Sequence, residues 1–173
     1  MDGKTFDKSV KTISYHHIQS QTLFPTAEAK LAKIDVKVTA KNIGYVAGAG
    51  DDIPTALQQM GCKVTILDAN ELSKDLKGYD AIILGVRAYN TVDMLARYQS
   101  KLMDYVESGG TMIVQYTIPG RLTTPNIGPY PLKTGRDRIT EEDAKMQFLL
   151  PNHTLLNYPN KITQKDFDGW IQE

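Results

Sequence analysis

Short apolar runs alternate with amphipathic and polar stretches from residue 41 onward. The runs 43–47, 63–67, 81–84 and 111–116 are rich in branched residues and too short for typical helices, so they predict buried strands. Residues 53–60 follow Asp51 or Asp52 as a cap and predict a helix that Gly61 ends. Apolar residues at spacings of three and four over 94–106, after Thr91 or Asp93 as a cap, predict another helix.

This alternation predicts an α/β fold with a doubly wound, mostly parallel sheet. Ala56, Leu57 and Met60 are the predicted buried stripe of the first helix, and one helical turn is predicted within 69–76. Residues 1–40, with strands expected over 11–18 and 31–38 and a loop at 21–25, form an N-terminal β segment or a linker from a preceding domain. Residues 41–173 form the α/β domain, with a long loop at 117–140 and a late strand over 144–150.

Composition limits the classes of partner. The 173 residues carry 20 basic and 20 acidic side chains, scattered without a basic face, which argues against a nucleic-acid partner. No apolar run approaches the roughly 20 residues of a membrane span. Cys62 is the single cysteine, so an internal disulfide and a multi-cysteine zinc site are excluded. The chain is expected to be a fragment of a longer protein, and a homo-oligomer is left open.

Polar side chains follow the predicted central strand and its neighbour. In parallel sheets the ligand crevice lies at the carboxyl ends of the strands, so the candidate ligand contacts are Arg87, Tyr89, Asn90, Gln115 and Tyr116. Arg136 and Arg138 of the long loop are expected to fold over the same crevice. An ion pair between Arg87 and Asp137 that only anchors the loop is an equally weighted alternative.

The turn after the first strand of the domain is a second candidate ligand contact, formed by Gly48, Gly50, Asp51 and Asp52. Its backbone N–H groups can hold an anion, but Ile53 stands where a dinucleotide fingerprint has its third glycine. NAD is therefore not expected, and no cofactor is predicted. A tight turn with an acidic helix cap is the favoured interpretation.

The remaining reactive residue types give weaker signals. Cys62 lies between a helix end and a strand start, and it is interpreted as a small buried hydrophobe. His16 and His17 are adjacent on a predicted strand and point to opposite faces, so they do not form a metal site together. His153 is interpreted as a loop hydrogen-bonding residue, with a role as a base kept as the minor alternative. No metal site is predicted.

Several segments together resemble a known family: Ile-Gly-Tyr-Val-Ala-Gly-Ala-Gly-Asp-Asp-Ile-Pro (43–54), Ile-Leu-Gly-Val-Arg-Ala-Tyr-Asn (83–90), Gly-Gly-Thr-Met-Ile-Val-Gln-Tyr (109–116), Gly-Pro-Tyr-Pro (128–131), Arg-Asp-Arg-Ile-Thr (136–140) and the stretch 160–170. They look like the C-terminal portion of large bacterial proteins of the PIG-L (LmbE-like) deacetylase family. The resemblance implies a flavodoxin-like, class I glutamine amidotransferase-like fold close to the ThuA-like group. It also implies that the partners are other domains of the same longer protein and that the protein is exported or periplasmic.

The catalytic motifs that accompany this resemblance are absent. No His precedes Asp51 and Asp52 as in the zinc motif His-Pro-Asp-Asp of the deacetylases, and no Cys lies near Gln115 and Tyr116, where a glutaminase nucleophile is expected. The first hypothesis is a non-catalytic accessory domain that binds a carbohydrate ligand or packs against its catalytic partner. The alternative is a degenerate hydrolase without a catalytic Cys, for which the catalytic candidates are His153, Asp51 and Tyr116. A purely structural module is the third hypothesis.

Overall fold

A computed structural model describes residues 3, 5–29, 35–141 and 143–169. The chain forms two compact units, Met1–Asp35 and Val36–Glu173. The predicted boundary at residue 40 falls five residues after this division. Residues 36–40 lie in the second unit, where Val38 and Ala40 pack against buried residues of the sheet.

The first unit contains a short antiparallel pair. Strand β1 (Lys11–Ile13) pairs with β2 (Gln21–Leu23), and an isolated bridge joins Lys8 to Thr26. The strand predicted over 11–18 is therefore shorter. The loop predicted at 21–25 was wrong for its first three residues, which form β2. Pro25 indicated a loop, but pairing with β1 holds residues 21–23 in a strand. Of the strand predicted over 31–38, residues 31–34 lie outside the described part, and residues 35–38 form no strand.

The second unit is built on a four-stranded parallel sheet. Its strands are β3 (Asn42–Val46), β4 (Lys63–Ile66), β5 (Ala81–Leu84) and β6 (Thr111–Val114), in the order β4-β3-β5-β6. All four residues of β5 are buried, which confirms the predicted central strand. A parallel sheet flanked by helices is an α/β architecture compatible with a doubly wound fold.

The helices are α1 (Ile53–Gln59), α2 (Ala69–Ser73), α3 (Ala88–Thr91), α4 (Leu95–Glu107), α5 (Thr154–Asn157) and a 3₁₀ helix (Gln164–Phe167). The predicted cap of α4 by Thr91 or Asp93 was wrong. Thr91 belongs to the short helix α3, and Met94 precedes α4 without a side-chain cap. The residues just after β5 fold into this additional turn, which the periodicity did not indicate.

Two apolar clusters cover the two faces of the sheet. Residues such as Val46 and Leu84 pack on one face with α2, α3 and α4. On the other face, Tyr45 and Ile83 pack with Leu57 of α1 and the segment 38–40. The predicted buried stripe of α1 was wrong in extent, since Leu57 is only half-buried and Ala56 and Met60 are exposed. Leu57 is the residue through which this helix packs against the buried cluster of the sheet.

The chain after β6 is irregular. Residues 117–140 contain neither helix nor strand, as predicted for the long loop. The strand predicted over 144–150 was wrong, because this apolar run finds no strand to pair with. Leu149 is 87% exposed, and the Phe148 ring lies 6.0 Å from that of Phe167.

Candidate functional site

The turns after β3 and β5 lie backbone against backbone. From β3 the chain first adds β4 on one side, and it then crosses back to add β5 and β6 on the other side. The turns after β3 and β5 therefore flank the switch point, where open α/β sheets form a crevice. The N–H of Ala49 donates to the carbonyl of Val86 at 2.8 Å. A Cβ atom on Gly48 would lie 2.1 Å from the same carbonyl oxygen. The predicted crevice at this point is therefore occupied by main chain, and Gly48 serves this close approach.

Asp51 ties the two turns together through its carboxylate. It accepts hydrogen bonds from the Tyr45 hydroxyl at 2.6 Å, from the N–H of Ile53 at 3.0 Å and from the N–H of Val86 at 3.2 Å. The Nε2 of Gln115 makes a longer contact of 3.5 Å with the Tyr45 hydroxyl. Residues at the carboxyl ends of β3, β5 and β6 thus form one polar cluster.

This cluster determines the ionisation of its members. Desolvation acts to raise the pKa of Asp51, but the hydrogen bonds from Tyr45, Ile53 and Val86 outweigh it and hold the pKa below its usual value. Burial, and then the hydrogen bond to the Asp51 carboxylate, raise the pKa of Tyr45. A carboxylate with a lowered pKa and three donors is a weak proton acceptor. The geometry therefore favours a structural role for Asp51 over that of a general base.

Tyr45 was missed by the sequence analysis because it stands inside an apolar strand, where a core role is the ordinary interpretation. Its side chain is 1% exposed. The available signal was the phenolic hydroxyl itself, since a buried tyrosine usually needs a hydrogen-bond partner. Asp52, by contrast, is exposed and makes no side-chain hydrogen bond as the residue preceding α1.

Arg87 occupies a strained turn between β5 and α3. Its φ of 58° lies in the left-handed region, which non-glycine residues rarely adopt. Its N–H donates to the carbonyl of Tyr116 at 2.7 Å, so the two residues are neighbours, as the shared carboxyl edge predicted. A strand followed by a left-handed residue and a helix is the geometry by which an elbow exposes a side chain at the end of a sheet.

The Arg87 guanidinium has no partner among the described residues. Its Nε is buried without a hydrogen bond, and no described carboxylate lies within 4.0 Å of its nitrogens. The ion pair with Asp137 considered from the sequence is therefore not formed. Arg87 is left as a half-buried cation whose hydrogen-bonding capacity is unused.

Tyr89 and Asn90 are positioned by α3 and are used within the fold. Tyr89 is fully buried, and its hydroxyl donates to Gln99 at 2.9 Å. Burial raises its pKa, with the hydrogen bond to Gln99 opposing. Asn90 binds the following loop, donating to the carbonyls of Ile118 and Arg121 and accepting from the N–H of Ile118. The Tyr89 side chain thus ties α3 to α4, and the Asn90 side chain ties α3 to the long loop.

A depression of about 750 Å³ adjoins the end of β6. It is lined by residues 116–119 on one side and by residues 135–139 on the other. Tyr116, which is 59% exposed, therefore faces the segment that carries Arg136, Asp137 and Arg138. Of the five residues predicted for the crevice, Tyr116 lines this depression, whereas Arg87, Tyr89, Asn90 and Gln115 do not. Residues 117–119, which complete the wall, were not singled out from the sequence.

A second depression, of about 770 Å³, lies between α4 and residues 126–131. Met103 and Val106 of the helix form one wall, and Tyr130 and its flanking prolines form the other. No strand end contributes to it. It is therefore a separate feature from the carboxyl edge of the sheet.

His153 caps helix α5 and does not reach the sheet edge through any hydrogen bond. Its Nδ1 accepts from the N–H of Leu155 at 3.2 Å, and the side chain is exposed. His16 and His17 are also exposed, and their rings meet edge to face with centroids 4.9 Å apart. The prediction that they lie on a strand and point to opposite faces was therefore wrong, since β1 ends at Ile13. Cys62 is 7% exposed, which confirms its burial. In the described part of the chain, no group of three His, Cys, Asp or Glu residues is placed to hold a metal ion.

No protein-family model, curated protein or solved structure matches this chain. The family expected from the sequence motifs therefore stays a prediction. Within the described residues, the helices are all too short or too polar to cross a membrane.

Proposed function

We propose that this chain is a non-catalytic domain that binds a small, carbohydrate-like ligand at the carboxyl edge of its sheet. In this proposal it serves as an accessory part of a longer protein of the PIG-L deacetylase family. Its fold is then of the flavodoxin-like, class I glutamine amidotransferase-like kind, for which the parallel strand order provides support. The proposal depends most on the unpaired guanidinium of Arg87.

The unpaired guanidinium supports ligand binding because buried polar groups in folded proteins are almost always satisfied. Across the described residues, Arg87 Nε and Thr123 Oγ1 are the buried side-chain atoms without a hydrogen-bond partner. Arg87 also carries the left-handed backbone strain, and such strain is often found at functional sites. A cation held in this way, on a residue whose backbone is hydrogen-bonded to that of Tyr116, is suited to an incoming polar ligand.

The non-catalytic part of the proposal is supported by the uses of the three catalytic candidates. Asp51 accepts three hydrogen bonds within the fold, and His153 caps a helix. The hydroxyl of Tyr116 has no acid or base bound to it among the described side chains. A hydrolase mechanism needs a base within hydrogen-bond reach of its nucleophile, and these residues are not arranged in that way.

The proposal that the chain is an accessory domain is supported by apolar side chains of the sheet that are exposed to solvent. Ile66 and Ile113 lie at its two edges on the face covered by α1, and they are 51% and 47% exposed. The register places both in line with Tyr45 and Ile83, which are buried. Large exposed apolar groups in line with a core are typical of surfaces that another polypeptide covers.

Binding is tested by titrating the isotopically labelled chain with an N-acetylglucosamine oligosaccharide and following its amide resonances. We expect the shifts to concentrate on residues 116–119 and 135–139. Tyr116→Ala should weaken binding about tenfold or more, since it removes a stacking surface. Tyr130→Ala removes another exposed tyrosine, at the second depression, and as the matched control it should leave binding unchanged.

Two results would contradict the proposal. The first is a set of shifts confined to residues 126–131, or none at millimolar ligand. The second is turnover of an N-acetylated sugar or of glutamine by this chain alone, which would establish catalysis.

A further inference from the structure

We infer that the ligand of the carboxyl edge carries a carboxylate, as in a sugar acid, and that Arg87 binds it. This inference rests on the proposed ligand-binding function and adds the charge of the ligand to it. Three observations lead to it: the partly buried and unpaired guanidinium, the cost of its backbone conformation, and the basic residues facing Tyr116.

The first observation concerns the state of the guanidinium. The guanidinium of an arginine carries a positive charge in proteins. Its Nε is buried without an acceptor, whereas the terminal nitrogens are not among the buried unpartnered atoms and are therefore reached by solvent. A planar guanidinium offers parallel N–H donors that match the two oxygens of a carboxylate. A neutral hydroxyl satisfies only one donor and leaves the charge uncompensated.

The second observation concerns the backbone. At φ 58° glycine is the favoured residue, because an L side chain is strained there. The Arg87 side chain makes no hydrogen bond or ion pair with the described residues, so no polar contact within the fold explains why arginine stands at this strained position. A binding role explains the conformation, since the elbow holds the guanidinium in place before the ligand arrives.

The third observation concerns the charge around the depression. Residues 135–139 bring Arg136 and Arg138 to face Tyr116, with Asp137 as the single acid between them. Both arginines are exposed and unpaired with any described carboxylate. They give the depression an excess of positive charge in a chain whose net charge is zero, and the backbone of Arg87 is hydrogen-bonded to that of Tyr116 in its wall. Such an excess favours an anionic ligand over a neutral one.

The test compares two disaccharides that differ in one group. One joins glucuronate to N-acetylglucosamine, and the other has glucose in place of glucuronate. Calorimetric titration of the full chain at physiological salt should give a Kd at least about tenfold lower for the uronate, as expected for a charge-assisted pair. Arg87→Met should abolish this preference, whereas Arg97→Met, an exposed arginine on α4, should retain it.

Two other outcomes of the titration would contradict the inference. Equal affinity for both disaccharides would overturn the carboxylate inference and leave the proposed sugar binding intact. Binding of neither at millimolar concentration would overturn both.

A further variant separates a binding role from a structural one. Arg87→Gly should lose the preference for the uronate while its Tm is unchanged or higher, because glycine relieves the strain. A Tm lowered by several degrees would show that the side chain supports the fold, and the inference would fall.

Discussion

One carboxylate holds together the ends of two strands. Asp51 follows β3, yet it accepts a hydrogen bond from the backbone of Val86 just beyond β5 and another from the hydroxyl of Tyr45. Each hydrogen bond stabilises the ionised form, and together they lower its pKa. The charge of this side chain is therefore part of the folded structure, and its effect on stability depends on pH.

Replacing Asp51 with asparagine should lower the free energy of unfolding at pH 7 by about 2 kcal/mol, because hydrogen bonds to a charged acceptor are stronger than those to a neutral one. The folded pKa lies below the unfolded value of about 3.9. The stabilisation is thus complete above that value and is lost as the pH falls through the folded pKa. The difference between the two proteins should shrink below about pH 4, as measured by denaturant unfolding across pH.

Asp52→Asn is the matched control for this prediction, since Asp52 is the adjacent exposed carboxylate without a side-chain hydrogen bond. It should change stability little at any pH. A constant difference between Asp51→Asn and the unmodified chain from pH 3 to pH 7 would contradict the proposed role of the charge.

The roles of single polar residues were the least predictable from the sequence. The proximity of Arg87 and Tyr116 followed from the rule that parallel strands end at the same edge, and it is confirmed. The use of Asn90 did not follow, because its partners are carbonyls of Ile118 and Arg121, 28 and 31 residues further along. Sequence gives the type of side chain, whereas its partner depends on how an irregular loop returns to the sheet.

At the scale of elements, the turns after β3 and β5 are in direct main-chain contact. The turn after β3 reaches the turn after β5 so closely that Gly48 has no room for a side chain. Gly85 is similarly enclosed, since a Cβ there would lie 2.5 Å from the Tyr45 hydroxyl. The glycines of this region thus serve strand-to-strand packing, rather than the binding of a phosphate that a Gly-x-Gly turn can indicate.

Gly48→Ala should destabilise the protein by about 3 kcal/mol, at the upper end for overpacking, because the new methyl group meets the Val86 carbonyl and a main-chain neighbour cannot rotate away. Gly78→Ala is the control, since a Cβ there has open space and the backbone is not left-handed. Thermal unfolding of both variants measures the effect. Equal stabilities would show that the two turns separate at little cost.

Elements with strong apolar patterns were predicted well, and elements determined by their neighbours were not. The four parallel strands followed from short apolar runs typical of such sheets. The prediction that all four are buried was wrong for β4 and β6, which lie at the edges of the sheet and hold no buried residue. Helix α3 was missed because a single turn has no periodicity, and its start depends on the left-handed residue Arg87. The run 144–150 has strand-like composition but no partner, and a strand is stable only when its hydrogen bonds are satisfied by another.

At the scale of the molecule, the buried apolar residues of the described part of the chain belong to one unit. Among the described residues, those of the core all lie between Ile43 and Ile127. The paired strands of the first unit are largely exposed, with Ile13 half-buried. Since burial of apolar surface is the main favourable term in folding, the stability of the chain should reside in residues 36–173.

A chain that begins at residue 36 should therefore have the same denaturant midpoint as the full chain and a free energy of unfolding within about 0.5 kcal/mol of it. The slope of the transition should be similar as well, because it reports the surface exposed on unfolding and the core that contributes most of it is retained. A chain that begins at residue 43 is the informative comparison. It removes Val38 and Ala40, which pack against the sheet, and Lys41, whose N–H donates to Asp80 at 2.7 Å. It should be clearly less stable. A midpoint that already falls on removal of residues 1–35 would show that the first unit contributes to the core after all.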